Sequence, residues 1–171
     1  EAMVDCVQTH SQMVQAWEPG ACAATLERLK QHLLEAPEVV VLGAAVSASE
    51  VADLGEGCLI IAADGSVGAL NDLTKLACVV SDFDGGTHLD EAAEHGAVIV
   101  VHAHGDNPQR WFHCLKAWSR FANPPSLVLS HQTPIPLSGA HNFGGFTDGD
   151  RAVCFALAMG VPKDQIRLIG F

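Results

Sequence analysis

Positive charge is scarce in this sequence. Nine Lys and Arg stand against twenty Asp and Glu, a formal net charge of −11 with histidine neutral. No basic cluster offsets that balance, so neither a nucleic-acid backbone nor an anionic membrane surface is expected as a partner. Long hydrophobic runs are missing too. Stretches such as 97–101 (AVIVV) fall far short of the roughly 20 residues that a membrane-crossing helix needs. No basic segment leads into an apolar run and a small-residue cleavage site, which predicts a cytoplasmic rather than a secreted protein. The six cysteines, at 6, 22, 58, 78, 114 and 154, form no CxxC pair, and several sit inside apolar runs. They read as buried, reduced thiols. There is no GxxxxGK[ST], no intact GxGxxG after a strand and no GxSxG, so the P-loop, dinucleotide and hydrolase-elbow signatures are all absent.

What the sequence has is core. Of 171 residues, 49% are hydrophobic and only 17% charged, enough apolar material for one folded domain. Residues 1–35 read as helical, with Leu26, Leu29, Leu33 and Leu34 at helical spacing and a Pro-Gly break at 19–20. From 38 onward short apolar runs recur at 38–42, 58–62, 77–80, 97–101, 126–129 and 166–169. Helical stretches are expected between most of them, at about 47–54, 65–76, 88–95, 107–121 and 148–160. Near-continuous apolar strands alternating with helices predict an α/β domain. The expectation is a Rossmann-like, mostly parallel sheet with helices on both faces, over 37–171, preceded by an N-terminal helical segment over 1–36.

In such sheets ligands bind beyond the carboxyl ends of the strands. Here those ends are polar and glycine-rich: Ala63-Asp64-Gly65, Ser81-Asp82-Phe83-Asp84-Gly85-Gly86, His102-Ala103-His104-Gly105-Asp106-Asn107 and Ser130-His131-Gln132-Thr133. In extended backbone residues i and i+2 share a side. Asp82 and Asp84 would then form a carboxylate pair suited to Mg²⁺, although Asp and Gly also make ordinary solvated turns. His102, His104 and Asp106 would likewise share a face. That pattern suits a zinc or two-metal hydrolase, or phosphate contact with an ordered Asp106. The excess of carboxylates favours Mg²⁺ over zinc. Thr147 and Asp150 read as the cap of the last long helix. Gly149, a poor helix former, suggests close backbone approach there, and Asp148 and Arg151 add a carboxylate and a forked cation. With only four lysines in the chain, polyphosphate chemistry would depend on metal ions for most of its positive charge.

The ordered set SDFDGG (81–86), VVHAHGDN (100–107), HQT (131–133) and NFGGFTDGDRA (142–152) resembles the archaeal 6-hydroxymethyl-7,8-dihydropterin pyrophosphokinases, which are similar in fold to thiamine pyrophosphokinases. The resemblance spans about 37–160, and AADG (62–65) fits it as well. It implies Mg²⁺-dependent transfer of diphosphate from ATP to the pterin hydroxymethyl group, releasing AMP. It further implies catalytic roles for Asp82, Asp84, Asp106 and Asp150, and metal contacts from Asp82, Asp84, Asp106 and Asp148. ATP and substrate contacts would come from Asp64, Gly65, Gly85, His102, His104, Asn107, Gln132, Thr133, Asn142, Gly145, Thr147 and Arg151. One turn departs from the family: Gly43-Ala44-Ala45-Val46-Ser47 stands where a Gly-Pro-Ser-like turn is expected. A metal-dependent hydrolase built on His102, His104 and Asp106, and a nucleotide- or pterin-binding module without turnover, are the alternatives. Thiamine as acceptor is a near variant, and the choice between monomer and homodimer is left open.

Overall fold

A computed structural model describes residues 13–171. The apolar runs form six strands: β1 (Glu38–Leu42), β2 (Cys58–Ala63), β3 (Leu76–Ser81), β4 (Val98–Ala103), β5 (Ser126–His131) and β6 (Ile166–Ile169). Every ladder between them is parallel, in the order β5-β4-β3-β2-β1-β6. The α-helices are α1 (Pro19–Glu35), α2 (Ala48–Ala52), α3 (Gly86–Glu94), α4 (Pro108–Trp118) and α5 (Asp148–Ala158). The chain steps from β1 to β5 one strand at a time. Helix α5 then returns across β3, β2 and β1, and β6 is laid against the far side of β1.

Strand alternation sorts the core into two faces. Val39, Val41, Ile61, Val80 and Val100 pack with Leu29 and Leu33 of α1 and Phe155 of α5. On the other face Val79, Ile99, Val101 and Leu127 meet Leu89 of α3 and Trp111, Leu115 and Trp118 of α4. A smaller group, Val40, Leu42 and Ile60 with Leu54, lies beside α2. A sheet covered on both faces is what the near-continuous apolar runs call for. Among the described residues no helix is long and apolar enough to cross a membrane.

The structure departs from the sequence expectations in three places. Helix is expected over 65–76, yet a short 3-10 helix spans Asp64–Ala69 and an irregular stretch follows. Gly65 and Gly68 weaken a helix there, and the Asp72 carboxylate accepts the Thr74 backbone N–H at 2.9 Å, closing a turn instead. Pro19 does not break a helix but begins one. It occupies the first turn of α1, where a missing N–H costs nothing. The part of the expected N-terminal helix before residue 13, and Cys6, lie outside the described residues. Third, β3, β4 and β5 run one or two residues beyond their apolar runs. Ser81, His102, Ser130 and His131 are therefore strand residues, and all four are buried.

Candidate active site

Because all strands are parallel, the loops after β1, β2, β3 and β6 and the start of α5 converge at one edge. They enclose a cleft of about 1050 Å³. Among the predicted site residues Asp64, Gly65, Asp84, Gly85, Thr147 and Asp148 line it. The altered turn after β1 lines it too, through Gly43, Ala44, Ala45 and Val46. Gly85, Gly86 and Thr87 form another part of its wall. Helix α3 begins there without a side-chain cap, so its first unpaired N–H groups lie at the cleft.

One carboxylate oxygen each from Asp64, Asp84 and Asp148 comes within 4.8 Å of the other two. Among the described residues no other group of three or more His, Cys, Asp or Glu meets so closely. The backbone is bent to achieve this. Asp64 sits at φ 50° directly after β2, and Phe83 at φ 77° between Asp82 and Asp84. A non-glycine residue in this region costs about 1–3 kcal/mol. For Phe83 the cost is offset by its buried ring, which packs 5.2 Å from Trp111 and 5.5 Å from Trp118. The Ser81 hydroxyl accepts the Phe83 N–H at 2.9 Å and donates to the Asp64 carboxylate. Gly85 must be glycine for this packing: a Cβ there would stand 2.9 Å from both Asp64 Oδ1 and the Gly65 nitrogen.

Crowded carboxylates hold protons. Burial, then a hydrogen bond to Asp84 and the charges of Asp148 and Asp84, push Asp64 up to about 8, against the pull of Ser81. Asp84 lies below the usual carboxylate range because Asp64 donates to it and Arg110 stands beside it. Burial and the Asp82 charge raise Asp148 to about 6, with Arg151 opposing them. Burial and then Asp84 also raise Asp82. Asp64 and Asp84 thus share a proton that a divalent cation would replace.

The other predicted residues lie away from the cleft wall. Asp82, across the Phe83 bend from Asp84, does not line the cleft, yet its charge acts on both Asp84 and Asp148, and its buried Oδ1 has no hydrogen-bond partner. Asn107 is buried and wholly occupied. Its amide donates to the Asp82 and His102 carbonyls, both at 2.9 Å, and its oxygen accepts the His104 N–H at 2.9 Å. His104 Nδ1 pairs with Asp106 Oδ1 at 2.8 Å. His102 is buried against Ser130 at 2.9 Å. The pattern His102, His104, Asp106 therefore does not come together as three ligands. Gln132 donates to the His104 carbonyl at 3.0 Å, and Asn142 to the Thr133 carbonyl at 3.1 Å. Asp150 serves the capping box with Thr147. Gly145, at φ 87°, packs on the Arg151 backbone, and Arg151 is buried against Asp148 at 3.0 Å.

Sequence reasoning missed Arg110. From the first turn of α4 its Nη1 lies 3.5 Å from Asp84 Oδ2 and 3.9 Å from Asp82 Oδ1. Its signal was its place three residues after the HAHGDN motif, in a chain poor in cations.

No protein-family model matches the chain. Three curated proteins do, all named 6-hydroxymethyl-7,8-dihydropterin pyrophosphokinase. The Methanothermobacter thermautotrophicus protein is 42% identical over 112 residues, 64% of this chain and 45% of that protein. The Pyrococcus furiosus protein is 40% identical over 138 residues, 78% of this chain and 55% of that one. The chain is a relative of these archaeal pyrophosphokinases. The Methanocaldococcus jannaschii pyrophosphokinase is 36% identical over 143 residues, 76% of this chain and 56% of its own length. The chain spans about half the length of the curated pyrophosphokinases it matches. The resemblance carried by SDFDGG, HAHGDN and GFTDGDRA is thus matched over most of the chain.

Proposed function

We propose that this chain transfers diphosphate from ATP to the hydroxymethyl group of 6-hydroxymethyl-7,8-dihydropterin and releases AMP. The observation that carries the reading is the Asp64–Asp84–Asp148 trio beside the uncapped start of α3, in a relative of enzymes so named. The trio fits Mg²⁺: three hard oxygen donors, a shared proton to displace, and an excess of negative charge. A bound Mg²⁺ would supply the charge that screens the phosphates from these carboxylates.

The chain's own residues do the rest. The N–H groups at the start of α3 favour a phosphate oxygen, and Arg110 is a nearby cation for another. Asp64, Asp84 and Asp148 would hold the metal, whose charge would help to place the polyphosphate. We assign acceptor or phosphate contact to His104, which Asp106 holds at 2.8 Å. The acceptor hydroxyl oxygen attacks the β-phosphorus in line and gives up its proton to solvent, and the bond from that phosphorus to the oxygen that leaves with AMP breaks. Such a reaction depends on positioning and charge stabilisation more than on covalent help. The use of ATP, and five free cysteines among the described residues, support a cytoplasmic setting.

The test is incubation with ATP, Mg²⁺ and the pterin alcohol, with thiamine as a control acceptor. We expect AMP and pterin diphosphate, with turnover in Asp84→Asn reduced on the order of 10²-fold. ADP as the product, release of phosphate alone, or an Asp84→Asn variant with unchanged turnover would contradict the assignment.

A further inference from the structure

His102 and Arg151 are 3% and 4% exposed and do not line the large cleft. Both instead line a small, partly open chamber of about 10 Å³, walled by Val80, Val100, Phe143, Gly144 and Phe155. A space of that size holds about one water molecule. The polar atoms around it are complementary. Arg151 Nη1 donates to Asp148 Oδ1 at 3.0 Å, while Nε and Nη2 have no protein partner. Across the chamber the Ser130 hydroxyl lies 3.2 Å from the Val101 carbonyl and 2.9 Å from His102 Nδ1. A hydroxyl has one proton, and a carbonyl can only accept, so Ser130 spends that proton on Val101. It must then accept from His102 Nδ1–H. Burial, and then the Arg151 charge, keep the imidazole neutral, its pKa lowered to about 3 against the pull of the Gln132 side chain. His102 Nε2 is therefore a bare acceptor, and it too has no protein partner.

We propose that one water in this chamber accepts from Arg151 and donates to His102 Nε2, making His102 a positioning residue for Asp148. The chain of bonds runs from the Val101 carbonyl through Ser130, His102, the water and Arg151 to the Asp148 carboxylate. It fixes the Arg151 guanidinium plane, and the guanidinium fixes Asp148 toward Asp64 and Asp84. His102 then acts from behind the metal-binding trio and touches no phosphate. Partners of this kind, one shell out from a ligand, typically alter metal affinity by about 10–100-fold when removed.

The inference rests on the metal role proposed above for Asp148, and its readouts need no turnover. Two-bond ¹H–¹⁵N NMR of the wild-type histidines should show His102 as the neutral Nδ1–H form. Free-Mn²⁺ EPR, without nucleotide, should show affinity weakened about tenfold in His102→Phe. His102→Gln, which can still both donate and accept, should recover it to within about threefold. Arg151→Lys, which keeps the charge but loses the fork, should weaken Mn²⁺ as His102→Phe does. An Nε2–H tautomer would overturn the proposal whether or not any variant folds. So would a folded His102→Phe or Arg151→Lys protein that melts earlier yet binds Mn²⁺ as the wild type does. Failure of the diphosphate-transfer assay alone would count against the proposed function and leave both readouts standing.

Discussion

Asp64 concentrates the pH behaviour of the site. Its carboxyl is held at about 8 and that of Asp148 at about 6, against roughly 4 in an unfolded chain. Between those values the folded protein binds more protons than the unfolded one, so metal-free stability falls as pH rises. A divalent cation takes the place of those protons, so its affinity climbs over the same window. The melting temperature of the metal-free protein should fall from pH 5 to pH 8, and Mn²⁺ should raise it more at pH 8 than at pH 5.5. Asp64→Asn should flatten both trends. Stability that rises with pH in metal-free buffer would contradict this electrostatic picture. Asp64, Asp84 and Asp148 were legible in the sequence as acids beside glycines at strand or helix ends. The place of Asp82 outside the cleft lining was not, because the i, i+2 rule presumes extended backbone and Phe83 adopts φ 77°. That conformation depends on ring burial against Trp111 and Trp118, residues about 30 positions away in sequence.

At the scale of elements the strands were plain and the loops less so. Runs of four or five mostly apolar residues bounded by polar ones have few alternatives to a doubly covered strand, and all six became strands. Polar strand ends hid themselves: His102 and His131 read as following their strands, yet they belong to the ladder between β4 and β5. The stretch 65–76 read as helix because its apolar residues are spaced plausibly, whereas Gly65, Gly68 and the Asp72 turn decide its fate. The close fit of the loops after β2 and β3 gives a direct test. In Gly85→Ala the new methyl would stand 2.9 Å from Asp64 Oδ1 and the Gly65 backbone nitrogen, so one loop must shift. We expect circular dichroism close to wild type but Mn²⁺ affinity lowered about tenfold, as for other lost metal-supporting contacts. Unchanged Mn²⁺ affinity in the folded variant would show that the approach of the two loops does not shape the trio.

Over the whole molecule, direction is the property that makes the site. An all-parallel sheet sends every strand-end loop to one edge, so acids at 64, 84 and 148 meet without being near in sequence. Alternation of strands and helices made that edge foreseeable. Which loops would form the cleft was not, because strand order governs it: the loops beside β1, β2 and β3 enclose it with the residues after β6. The loop after β4 braces its neighbour from outside through Asn107. A net charge of −11 adds an unfavourable field for any polyphosphate, and Arg110 and Arg151 are the cations set against the site carboxylates. A metal at the trio is therefore the central requirement for polyphosphate binding at this edge. The most direct measurement is anomalous X-ray scattering from a crystal containing Mn²⁺ and a non-hydrolysable ATP analogue. We predict a peak coordinated by Asp64, Asp84 and Asp148, with the analogue's phosphates on the same ion. A peak at His102, His104 and Asp106, or phosphates bound with no metal at the trio, would contradict it.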